Sequence, residues 1–107
     1  MRFSVYLIED VEKDLFDVYR YVAQNDSIEH TDNLLDKLEK KILSLETMPQ
    51  RGHVPLELER IGVVEYREIF YKPYRIIYQI IESRIYVHCI LDGRRDLQDL
   101  LQQRILR

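Results

Sequence analysis

The stretch Tyr74–Arg95, YRIIYQIIESRIYVHCILDGRR, decides how this chain folds. Two apolar runs, Tyr74–Ile81 and Arg84–Leu91, flank the polar pair Glu82-Ser83, and the second run ends at Asp92-Gly93. Both are rich in β-branched and aromatic residues, and so tight a polar break between them predicts two strands joined by a tight turn. The first run is apolar almost throughout, the pattern of a central strand with both faces covered. Arginine stands at the start of this hairpin (Arg75) and twice beyond its end (Arg94, Arg95). Cations fixed on a rigid sheet suit recognition of phosphate or carboxylate. The same arginines could instead be solvated, or paired with Glu82, Asp92 and Asp96, and spacing leaves both readings open.

Upstream, Val63–Tyr71 alternates with period two and predicts another strand, with Lys72-Pro73 as the turn. Downstream, Leu97, Leu100, Leu101 and Ile105 predict a short terminal helix. Gln50–Gly62 carries Gly52, Pro55 and Gly62 with little periodicity, and reads as an irregular connector. The N-terminal half is helical. Val11, Leu15, Val18, Tyr19 and Val22 form one stripe over Glu9–Asn25, with acidic residues in the first turns where the helix dipole favours them. Leu34, Leu35, Leu38, Ile42 and Leu45 form a second stripe, with Asp26 as N-cap, Glu29 as its capping-box partner, and an end near Met48 before Pro49. Phe3, Val5 and Leu7 alternate ahead of both and predict a first strand. The expected fold is α+β. It has an N-terminal strand, an antiparallel helical hairpin packed on one face of a mainly antiparallel sheet, a three-strand C-terminal meander and a short terminal helix.

A chain of 107 residues with 46% apolar content is expected to form a single domain over residues 1–107 and to bury a core without disulfides. The lone Cys89 lies mid-strand between Val87 and Leu91, so a buried, inert thiol is expected, consistent with a reducing, cytoplasmic location. The apolar run at the N-terminus turns acidic at Glu9, too soon for a signal peptide or a membrane span, so no membrane partner is expected. The net charge is −3, and residues 1–50 carry −5 against +2 for residues 51–107. That balance argues against bulk attraction to nucleic acid, and no direct DNA binding by the chain alone is expected. The acidic half is either a second partner surface or the ordinary solvent face of helices.

No metal site is expected. His30, His53 and His88 lack ligand spacing, and strand alternation places Cys89 on the face opposite His88. Neither a nucleophile elbow nor a phosphate-binding glycine loop is present, and no cofactor is expected. The sheet is the better lead. Arg75, Ile77, Gln79 and Ile81 share one face of the central strand, and Tyr86 and His88 share one on the last. Such a surface could bind RNA, with His88 as acid or base. Otherwise His88 is a surface imidazole bonded to a carboxylate or water.

Tyr74–Ile81, Arg84–Leu91, the run Asp92-Gly93-Arg94-Arg95-Asp96-Leu97 and the upstream Glu65-Tyr66-Arg67-Glu68-Ile69 together resemble the RelE/ParE toxin superfamily of type II toxin–antitoxin systems. The element order is similar along essentially the whole chain. The resemblance implies a toxin neutralised by a cognate antitoxin. RelE-like members are ribosome-dependent messenger-RNA endonucleases, whereas ParE-like members inhibit DNA gyrase. RelE-like sites use lysines on the strand before the YR strand, the arginine of that strand, an arginine after the glycine and often a tyrosine in the terminal helix. Here Arg75 and Arg95 match the arginines, the lysine positions carry Tyr66 or Arg67 and Glu68, and the tyrosine position carries Leu101. A glutamate repels RNA and a leucine cannot move a proton. The resemblance therefore favours the ParE branch, acting by binding to gyrase through Arg67, Arg75, Arg94 and Arg95. The alternative is a nuclease acting on the ribosome and mRNA through Arg75, Arg95, His88 and Glu68, since other nuclease members use histidine and glutamate. A non-catalytic interaction domain is the third reading.

Overall fold

The computed structural model describes residues 2–92 and 97–105. In chain order the elements are β1 (Ser4–Leu7), α1 (Glu9–Asn25), α2 (Ile28–Leu43), two 3-10 turns (Ser44–Glu46 and Pro49–Arg51), α3 (Leu56–Glu59), β2 (Tyr66–Tyr71), β3 (Tyr74–Ile81), β4 (Arg84–Asp92) and α4 (Leu97–Ile105). The fold is α+β, as the sequence predicts. The strands form one sheet in the order β1-β4-β3-β2. β2–β3 and β3–β4 are antiparallel, and β1 joins β4 in parallel, with Ser4 opposite Arg84 and Leu7 opposite Val87.

The helical stripes pack on one face of this sheet. Val11 and Val18 of α1, Leu38 and Ile42 of α2, and Leu45 bury against Ile69, Ile76, Tyr78, Ile85 and Val87. Each fully buried aliphatic side chain there contributes about 1.5–3 kcal/mol of transfer free energy. The opposite face is covered over part of its extent by α3 and α4, where Leu58, Leu97, Leu100 and Leu101 pack on Tyr66, Ile77, Cys89 and Leu91. β3 is therefore buried on both faces, and Cys89 is a buried cysteine outside any disulfide. Among the described residues no helix is long and apolar enough to cross a membrane.

Local details correct the sequence reading. The N-cap of α2 is Ser27, whose side chain accepts from the His30 amide, while Asp26 Oδ1 accepts from the Ser27 amide and contacts His30 Nδ1. One step nearer the helix, serine reaches the orphan amides that Asp26 does not. α2 ends at Leu43, not near Met48. The chain tightens there into a 3-10 turn over Ser44–Glu46, whose Glu46 carbonyl accepts from the Phe3 amide at 2.8 Å, ahead of β1. The connector after Gln50 holds a 3-10 turn and α3, and β2 starts at Tyr66 rather than Val63.

The alternation of β4 also fails at one point. Ile77 pairs with Cys89 but Tyr78 pairs with Val87, so His88 is the extra residue of a β-bulge. Beyond the bulge the faces exchange. Val87 belongs to the hairpin-side core, whereas Cys89 packs with Ile77 and Tyr66 on the other side. His88 bonds to Gln79 and meets the Tyr66 ring edge-on at 5.3 Å, so it stands on the same face as Cys89, not the opposite one.

Candidate functional site

The polar centre of the second face starts from a pinned loop. Tyr78, wholly buried in β3, donates to the Pro49 carbonyl at 2.7 Å and accepts from the Gly52 amide at 3.1 Å. Position 52 must be glycine, because a Cβ there would collide with the Tyr78 hydroxyl and approach the Glu68 carbonyl to 2.7 Å. This close approach lays the next residue, His53, beside β2. The His53 amide donates to the Glu68 carbonyl at 3.2 Å and the Glu68 amide donates back at 2.7 Å, an isolated antiparallel bridge. Arg67 holds the same loop from the other face of β2, its Nη1 donating to the Gly52 carbonyl at 2.7 Å.

Three charged side chains meet on that frame. Arg75 of β3 is only 8% exposed, and Glu68 of β2 only 3%. Arg75 Nε donates to Glu68 Oε1 at 2.7 Å. Its Nη1 and Nη2 donate to the two oxygens of Glu57, at 2.8 and 2.7 Å. Both edges of the guanidinium are thus engaged, one with each carboxylate. Glu57 projects from α3, which is anchored by buried Leu58 and by Gln98 of α4 donating to the Glu57 carbonyl at 2.9 Å. The second oxygen of Glu68 faces His53 Nε2 at 3.3 Å, and the His53 ring tilts on Phe70 at 5.4 Å. A groove of about 380 Å³ opens over this cluster, with Leu56, Phe70 and Lys72 among its walls.

The electrostatics follow from the contacts. Hydrogen bonds from Arg75 hold the Glu57 carboxyl below its usual range, and those same bonds lead the causes that raise the Arg75 guanidinium above its own. Burial, and then the nearby Arg104 charge, lowers His88. Among the described residues no three His, Cys, Asp or Glu side chains are grouped to hold a metal ion.

Of the residues singled out in the sequence, Arg75 and Glu68 come together. His88 lies apart on the bulge, bonded to Gln79 at 3.0 Å. Arg67 is half-exposed on the opposite side of its strand, and Leu101 is buried in the second core. Arg94 and Arg95 lie outside the described residues.

Sequence reasoning missed Glu57, His53 and a second buried pair. Asp14 of α1 accepts from Arg104 of α4 on both oxygens and also from the Ile90 amide, while Arg104 Nη1 donates to the His88 carbonyl at 2.6 Å. Only one signal was available for Asp14, and it was weak. It is the aspartate at the position between Val11 and Val18 that shares their buried face.

A profile of the ParE toxins of type II parDE toxin–antitoxin systems matches residues 5–97. The chain belongs to the ParE toxin family. Solved structures agree on the fold of this toxin. A chain of the chromosomal ParDE system from P. aeruginosa superposes with a TM-score of 0.72 at 15% identity, covering 85% of this chain and 96% of that one. A chain of the RelBE2 toxin–antitoxin complex from Mycobacterium tuberculosis gives 0.64 at 15% identity, covering 86% of this chain and 99% of that one. The RelE/ParE superfamily expected from the sequence is thereby the one found. Among curated proteins no sequence matches significantly.

Proposed function

We propose that this toxin acts by binding rather than by cleaving RNA, that its target is DNA gyrase, and that a cognate antitoxin neutralises it in the cytoplasm. The observation that carries this reading is the closed fork of Arg75. With its two edges taken by Glu68 and Glu57, Arg75 offers a scissile phosphate no donor edge in the free toxin, and a phosphate entering in place of Glu57 would still meet the buried Glu68 carboxylate. Arg75 serves here as an internal brace, and Arg67, Arg94 and Arg95 are the cations proposed for the target surface. Membership of the ParE family supports the choice of gyrase. An antitoxin partner is supported by both structural neighbours, whose structures come from toxin–antitoxin systems. β1 and β2 are edge strands, the kind of template to which a partner strand can add.

One observation favours the ribonuclease reading. His53 Nε2 sits beside a buried carboxylate at the rim of a groove, an arrangement able to move protons. Two assays separate the readings. Purified toxin should inhibit gyrase supercoiling, and Arg94→Ala/Arg95→Ala should relieve that inhibition with the melting temperature almost unchanged. Primer extension on translated transcripts should show no new 5′ ends. Discrete cuts at the ribosomal A site, lost in Arg75→Ala, would replace gyrase by the ribosome.

A further inference from the structure

The two carboxylates on Arg75 are not held alike. Glu68 sits within a strand, buried, with its backbone bonded in both directions to His53 and its second oxygen against the His53 ring. Glu57 stands on a helix of four residues and is one-third exposed. Its backbone is pinned through Gln98, so its carboxylate can swing away by side-chain rotation while α3 stays in place.

We propose that the outer edge of Arg75 is a binding site for a carboxylate of a protein partner, and that Glu57 is the internal ligand which that carboxylate displaces. This inference does not depend on which macromolecule the toxin attacks. A guanidinium keeps its charge when buried, so the Nη1/Nη2 edge requires an anion at all times. An incoming Asp or Glu side chain reproduces both bonds to Arg75, charge for charge. The surroundings favour that occupant. The groove opens at this edge, and with Glu57 withdrawn its charged lining is Arg75, Lys72 and Glu68, with His53 beside them. Leu56 and Phe70, both largely exposed, form an apolar collar that fits a residue flanking an acidic side chain. A wet, multiply charged nucleic-acid backbone would leave that collar uncovered and would lie against Glu68.

The test uses the full-length toxin. Glu57→Ala leaves the Arg75 edge without an anion and should lower the melting temperature by roughly 5–10 °C in chloride. Sodium acetate at equal ionic strength should restore at least half of that loss, while the wild type responds alike to both salts. Arg75→Met added to Glu57→Ala should abolish the acetate response. If Glu57→Ala does not fold, Glu57→Gln keeps the side-chain volume and is compared in the same two salts. A folded Glu57 variant indifferent to acetate overturns the proposal. Phosphate that restores stability better than acetate overturns the assignment to a carboxylate and points to a phosphoryl ligand.

Discussion

The two faces of the sheet are built by different physics. On the hairpin side, long amphipathic helices lay continuous aliphatic stripes on β3 and β4, and the packing is almost wholly hydrocarbon. On the other side the covering elements are short, α3 with four residues and α4 with nine, and each is tied down by an ion pair. Glu57–Arg75 joins α3 to β3 beside its anchors Leu58 and Gln98, and Asp14–Arg104 joins α4 to α1. Short helices bury few side chains each, here Leu58 of α3 and Leu97, Leu100 and Leu101 of α4, so charged pairs add a larger share to their docking. A hydrocarbon face spreads its stability over many contacts. A charged face concentrates it in a few, which makes that side both more fragile and more readily exchanged for a partner's groups.

The largest effect should come from Arg104→Met. It keeps the apolar stem but strands the buried Asp14 charge, a loss of about 3–5 kcal/mol by urea unfolding. Amide exchange should rise first in α4 and around the bulge at His88. The pairing of Asp14 with both Arg104 and the Ile90 amide implies that Asp14→Asn costs less, because it still offers an oxygen to the amide. If Arg104→Met loses under about 1 kcal/mol, the ion pair is not what fixes α4 and the contrast between the faces fails.

Leu38→Ala tests the other side. This residue is wholly buried between α2 and the sheet, and its truncation should cost about 2–5 kcal/mol. The signature should differ from that of Arg104→Met, since every spectroscopic probe should weaken together and no single element should open first. A local loss confined to α2 would show that the hydrocarbon face is not one cooperative unit.

The same contrast explains what could be read in advance. The hairpin face is periodic, so Val11, Val18, Leu38 and Ile42 announce their positions at helical spacing, and Ile76 and Tyr78 at strand spacing. The polar face is assembled from residues far apart in the chain. Asp14 meets Arg104 across 90 positions, and Glu57 meets Arg75 across 18, with nothing local to mark either pair. The bulge is a further blind spot. Strict alternation puts His88 and Cys89 on opposite faces, and only the pairing of Ile77 with Cys89 and Tyr78 with Val87 reveals the extra residue. Arg75 was legible as a cation at the start of an apolar strand, and Glu68 only through the resemblance to the RelE/ParE superfamily. That they neutralise each other was not, since that depends on α3 and the His53 loop.

A smaller effect is expected from Tyr78→Phe, which removes a polar anchor on the hydrocarbon side. Losing the hydroxyl leaves the Pro49 carbonyl and the Gly52 amide without that partner, a cost of about 1–3 kcal/mol. The loop carrying His53 should loosen, so that Arg75 and Glu68 become more accessible while the sheet persists. Equal protection of the loop in both proteins would show that Arg67 and the His53–Glu68 bridge hold it without the hydroxyl.

The smallest effect is a pH dependence traced to His88. The groups around it are Gln79, which bonds to its ring, the Tyr66 ring, Cys89 on the same face, and Arg104 of α4 bonded to its carbonyl. Burial, and then the Arg104 charge, depresses its folded-state value below the ordinary 6.5, so the unfolded chain takes up the proton first. Its neutral form therefore contributes stability that is complete above about pH 6.5 and is lost as the pH falls from there toward the folded value. Glu57 behaves in the same sense but lower. Its depressed carboxyl contributes above its ordinary 4.5 and is lost as the pH falls below that. The two windows are separable. His88→Gln should flatten the stability profile just below pH 6.5 and leave the acid limb intact, whereas Glu57→Gln should reduce the acid limb and leave the upper window intact. A profile for His88→Gln with the wild-type slope just below pH 6.5 would place that titration on another group and remove His88 from the account of the polar face.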